Sequence, residues 1–222
     1  MRALGLALVI VVGGASPCGL AAQDVAARLD GRVTADVVRT VQGIARDAAA
    51  RGLPVEPLIQ KAIEGGAKGV PADRVIAAVR VLAARLDEAR SALREAGTPA
   101  PSPEALESGA YALSAGLNAR QVRDLGRVSR PSYDPALTLR VAATLTALGV
   151  PAQQGLQLMT HMIQAGRGPN DLLDLPNEVQ VGMARGATAA EAAEGLDIGE
   201  EGEGRHNQQG QQGEHRPSPH EP

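Results

Sequence analysis

The chain has 222 residues, enough for one ordinary domain or two small ones, and a hydrophobic fraction of 44% that includes no Phe, no Trp and only two Tyr. The core must therefore be Leu, Val, Ile, Met and Ala, set at helical spacing rather than in alternation, which excludes a strand-built fold and predicts an all-α one. Charge is nearly balanced, with 22 basic and 25 acidic residues, and the acidic excess lies after Gly195. Residues 23–195 thus lack the broad positive field that general nucleic-acid binding requires.

The N-terminus reads as a secretory signal peptide over residues 1–22. Met1-Arg2 is a short basic start, Ala3 to Ala15 is apolar, and Leu20-Ala21-Ala22-Gln23 supplies small residues for cleavage. The apolar run is shorter than the roughly 20 residues a membrane-spanning helix needs, so no transmembrane segment is expected after its removal. Cys18 follows Pro17, not the small residue that normally precedes a lipidated cysteine, and it is expected to leave with the signal. The mature chain would then have no thiol for a disulfide, a nucleophile or a metal. Export to a periplasm or an extracellular space is the localisation this predicts.

From Asp24 a short helix is expected to end at Gly31. Thr34 can cap a helix over Ala35–Ala50 that carries Val37, Val38, Val41 and Ile44 on one side and closes at Gly52. Gly52-Leu53-Pro54 and Gly69-Val70-Pro71 then open two similar segments: glycine just past a helix end, an aliphatic residue, and a proline at the next helix start. The first segment should end at Gly65-Gly66. The second should run to about Ala96 as the longest helix, with Val75, Val79, Leu82, Leu86, Ala89 and Leu93 in an a/d-type seam. That seam is either the core helix of a monomer, the reading favoured here, or a dimerisation face.

Gly97 to Pro103 holds three prolines and reads as a linker between an N-terminal half (23–96) and a C-terminal half (104–195), which are expected to pack together. In the second half, helices are expected over Glu104–Ala115 and Ala119–Val128, the latter capped by Asn118. Asp134-Pro135 should open Ala136–Leu148, with Leu137, Val141, Leu145 and Leu148 inward. Gly149-Val150-Pro151 should lead into Ala152–Ala165, with Leu156, Met159 and Ile163 inward. Pro176 is expected to separate two short helices, Asp171–Asp174 and Asn177–Ala184, before a last one over Ala189–Glu194. The glycines recur at irregular intervals, so the expected fold is an irregular stack of short helices and helical hairpins around one long helix. Residues 196–222, rich in Gly, Gln and Glu, are expected to be a disordered acidic tail.

Few residues carry readable chemistry. His161 falls on a polar helix face, with no orienting carboxylate or nucleophile legible nearby. His206, His215 and His220 are irregularly spaced in the tail and do not make a metal site. Gly65-Gly66-Ala67-Lys68-Gly69 follows a helix and precedes Val70-Pro71, so it is a helix terminator rather than a phosphate loop. Asp171 and Asp174 suit a helix start. No catalytic residue, cofactor site or metal site is assigned. Arg120, Arg123, Arg127 and Arg130 form the one basic stripe, able to dock an anionic partner.

These features predict an exported, non-enzymatic helical protein with a protein-interaction or scaffold role in the cell envelope, its partner unknown. Two alternatives are an anion- or membrane-surface module using the Arg120–Arg130 stripe, and a hydrolase with a site built between the two halves.

Overall fold

The computed structural model describes residues 24–129 and 133–197. The expected signal peptide with Cys18, Arg130 of the basic stripe, and all of the tail beyond Asp197 lie outside them. Within them every regular element is helical: α1 (24–29), α2 (Ala35–Ala50), α3 (Glu56–Ala67), α4 (Ala72–Glu95), α5 (Pro103–Ala115), α6 (Ala119–Val128), α7 (Pro135–Ala147), α8 (Ala152–Ala165), α9 (Pro169–Ala184) and α10 (189–197). The all-α stack of short helices with one long member is the observed fold class.

One turn recurs throughout. At Gly149 the backbone is left-handed (φ 101°), and the next amide, Val150, donates to the Leu145 carbonyl at 3.0 Å. Glycine adopts this conformation without the Cβ penalty, and the bond satisfies a carbonyl at the helix end. The same pairing joins Leu53 to Ala48, Val70 to Gly65 and Leu117 to Ala112. Leu53, Leu117 and Val150 are also buried and plug the core, whereas Thr98, Arg167 and Ala187, which close the same turn after α4, α8 and α9, are half-buried. The Gly–aliphatic–Pro pattern is therefore a helix stop, a core plug and a helix start in succession.

The chain divides into two compact units between Arg80 and Val81, within α4; the proline-rich segment 97–103 lies inside the second unit. Ser102 caps α5 by accepting from Ala105, so Pro103 is the first residue of that helix rather than the last of a linker.

The first unit contains α1, α2, α3 and the start of α4. Leu29, Val37, Val41, Leu58, Ile59, Val75 and Val79 are buried. Gly65 and Gly66 do not end α3, which continues to Ala67. They are there for close approach: a Cβ on Gly65 would lie 2.7 Å from Val75 Cγ2, and one on Gly66 would lie 2.3 Å from the Arg32 carbonyl oxygen. The α1 side is tied to α3 by a two-pronged ion pair, Arg28 Nη1 and Nη2 donating to Glu56 at 2.5 and 2.6 Å.

The second unit begins with the rest of α4. Ala89 packs where Gly109 of α5 leaves room, and Leu93 and Ala96 do so against Gly126 of α6. Beyond that the helices form two layers. α5, α7 and α9 contact in sequence in one layer; α6 and α8 do so in the other, with α7 touching α6 and α8 as well. α10 lies along α8, held by Gln154 donating to the Ala190 carbonyl and by His161 paired with Asp197. Pro103, Pro135 and Pro169 start the three helices of the first layer, so a hairpin takes about 33 residues. The left-handed glycines that close these helices, Gly116, Gly149 and Gly186, keep roughly the same spacing.

Several boundaries and inward faces differ from the sequence expectation. α9 is one helix through Pro176, whose missing amide costs one hydrogen bond, because Leu172, Leu175 and Val179 bury a continuous row across it. α10 continues past Glu194 and takes in Leu196 and Asp197. In α4, Leu82 is half-buried and Ala83 takes the inward position; the other seam residues are buried within the single chain. In α7, Leu137 and Leu148 are half-buried, while Thr138, Leu139, Ala142 and Ala143 join Val141 and Leu145 inside. In α8 the inward residues are Leu158, Met159, Met162 and Ile163, with Leu156 half-buried.

Candidate functional site

A groove of about 390 Å³ opens on the first unit. One wall is the α1–α2 turn, Gly31 to Thr34, continued by Val37 of α2. The other is the α3–α4 turn, with Gly66, Gly69, Val70, Ala72 and Val75. Its volume falls within the range of small-ligand and side-chain pockets. The lining is mostly apolar: Val33, Val37, Val70, Ala72 and Val75 face glycine backbone, and Arg32 is the one charged residue on it.

Local sequence makes this groove. Gly69 (φ 65°) turns the chain at the end of α3, and Gly66 lets Arg32 come against α3. The residue after the turn glycine, Val70, then differs from its buried aliphatic counterparts. Leu53, Leu117 and Val150 are buried in the equivalent turns, whereas Val70 is 36% exposed and lies on the groove. Its amide still closes the turn, to the Gly65 carbonyl at 2.9 Å. The turn chemistry is kept while the side chain is left for something else to cover.

Charge near the groove is engaged at the surface. Lys61 and Lys68 both pair with Glu64, and these two ammonium groups hold its carboxyl down to about 2. Glu56 is likewise held at about 2, by Arg28 first and Gln60 second. Lys68, the lysine of the glycine-rich turn, is thus occupied by Glu64 at the end of α3.

The basic stripe is largely an internal fastening. Arg123 reaches Glu95 at 3.6 Å and Asp124 at 3.2 Å, and Arg127 lies 3.9 Å from Asp124. Arg127 also donates to the Glu95 main-chain carbonyl at 3.4 Å, where a guanidinium complements the negative end of α4. Arg120 is the most exposed, 4.0 Å from Asp124. The structure brings Arg120, Arg123 and Arg127 together on α6, as their spacing predicts.

His161 has a partner that sequence reading missed. Its Nδ1 lies 2.8 Å from an Asp197 carboxylate oxygen, both side chains being partly exposed. The two are 36 positions apart, and only the alignment of α10 along α8 joins them. Ser108 is buried with no hydrogen-bond partner for its hydroxyl, so it is closed to a substrate. Among the described residues no group of three or more His, Cys, Asp or Glu could hold a metal ion, and no helix is long and apolar enough to cross a membrane. No family model, curated protein or solved structure matches this chain.

Proposed function

We propose that this chain is an exported, non-enzymatic helical module of the cell envelope that binds a protein partner, with the groove of the first unit taking an apolar segment of that partner. The observation that carries the reading is Val70. Three of the aliphatic residues at this turn position, Leu53, Leu117 and Val150, are core plugs, and this one stands exposed on an apolar groove. A concave apolar surface with glycine backbone at its wall suits an inserted aliphatic or aromatic side chain.

The anion-surface reading has less support, because Arg123 and Arg127 are engaged with Asp124 and with the end of α4. The hydrolase reading gains only the His161–Asp197 pair.

The test is capture from an envelope fraction with the full chain and with Val70→Glu. Val70 is exposed, so the variant keeps its fold, which circular dichroism checks. A specific protein retained by the parent and lost by Val70→Glu is the expected result. Nothing specific retained, or the same proteins retained by both, would overturn the proposal.

A further inference from the structure

Charge around the apolar groove of the first unit is one-sided. Arg32 is exposed on one wall, between Gly31 and Val33, and is the only charged residue on the lining. The cations nearest it in the sequence are neutralised, Arg28 by Glu56 and Arg39 by Asp36. Among the described residues no hydrogen bond or ion pair engages the Arg32 guanidinium. On the other wall Lys68 directly precedes Gly69 and Val70, and it shares the Glu64 carboxyl with Lys61, two ammonium groups to one carboxylate. Of the acids in these turns, Asp36 is taken by Arg39, while Asp30 and Asp73 are not on the lining. Thr34 and Ala72 stand at the starts of α2 and α4, so the positive ends of two helix dipoles add to the same field.

We propose that the partner segment seated in this groove is acidic as well as apolar: an aliphatic side chain covers Val70 and Val75, and an Asp or Glu next to it in the partner's sequence pairs with Arg32. The inference rests on the groove being a docking site and adds which kind of peptide it takes. Covering the groove strips water from the guanidinium at its edge, and a carboxylate brought by the occupant offsets that loss. A basic residue in the same place would set like charge against like, so Arg32 also rejects the wrong partner. The chain's own acidic tail does not fit this description. Residues 199–222 supply carboxylates but no Leu, Ile, Val or Met, and Ile198 directly follows Asp197, which is held to α8 in the second unit.

The test uses two blocked peptides that differ at one position, Ser-Leu-Asp-Leu-Ser and Ser-Leu-Lys-Leu-Ser, titrated into the full chain while the amide signals of residues 31–37 and 66–75 are followed by NMR. The Asp peptide should bind about fivefold tighter than the Lys peptide at low salt, and the gap should narrow at high salt. Arg32→Glu should invert the preference and Arg32→Gln should abolish it. Val70→Glu should weaken both peptides. If the parent binds the two peptides equally, or if its preference survives Arg32→Glu and Arg32→Gln, the acidic specificity is overturned while the groove stands as a docking site. If neither peptide moves those signals, or if Val70→Glu binds both as the parent does, the docking site itself falls and this inference with it. Arg32 is exposed, so its variants keep the fold, and the comparison of the two peptides on the parent decides the matter without any substitution.

Discussion

The two units use the same residues and the same turns to different ends. The first unit relies on close approach: Gly65 and Gly66 bring α3 against Val75 and the Arg32 carbonyl, an Arg28–Glu56 pair closes its edge, and a groove remains. The second unit relies on enclosure, because α7 contacts α5, α6, α8 and α9 and is buried on most sides. A helix surrounded by others has little use for a polar face, which is why α7 reads as weakly amphipathic. The lesson is that short alanine-rich helices support either a tight stack or an open surface, depending on where glycine replaces a side chain.

Replacing the centre of the enclosed unit should have the largest effect. Leu139→Asp puts a carboxylate at a fully buried site on α7, a change worth more than about 4 kcal/mol. Hydrogen exchange read by segment should show protection lost over residues 81–197. If that protection survives, α7 is not the centre of its unit. Leu82→Asp should cost less than Leu139→Asp, because Leu82 is only half-buried.

A smaller, opposite-sign pair of changes sharpens the account of the first unit. Gly66→Ala should cost about 1–3 kcal/mol, since the new methyl meets a backbone oxygen that cannot turn away. Gly43→Ala, mid-helix in α2 with nothing within 4 Å of the added carbon, should instead stabilise by about 0.5–1 kcal/mol. Urea unfolding of both variants checks the contrast. Equal effects would mean that close approach is not what holds α3 in place.

The smallest expected effect is a pH dependence confined to the first unit. Glu56 has its carboxyl lowered from 4.5 to about 2, chiefly by the Arg28 hydrogen bonds. A depressed folded-state value means the pair's stabilisation is fully present above about 4.5 and is lost as pH falls towards 2. Both side chains are partly exposed, so solvent screening keeps the contribution small. Glu56→Gln should therefore be less stable than the parent at pH 6 and converge with it near pH 2. A difference that persists unchanged at pH 2 would assign the effect to something other than this ion pair.

The sequence by itself determined the helical class and most helix starts and stops. Asn118–Ala119 and Gly116 sit where their chemistry requires, because caps and left-handed glycines act over a few neighbouring residues, while Thr34 takes the N-cap position of α2 without a side-chain hydrogen bond to it. Local chemistry misled where burial could override it: Pro176 does not break α9, and Gly65-Gly66 do not end α3, since tertiary contacts outweigh one lost hydrogen bond or a low helix propensity. Of the candidate site, only the i, i+3, i+7 spacing of Arg120, Arg123 and Arg127 was legible, and its fastening to Glu95 was not. The tertiary structure alone decided that α7 is enclosed, that Asp197 reaches His161, and that Val70 is exposed where Leu53, Leu117 and Val150 are buried. Each depends on which helices meet across long stretches of chain, and in a chain without Phe or Trp many Ala, Val and Leu faces satisfy the same helical spacing.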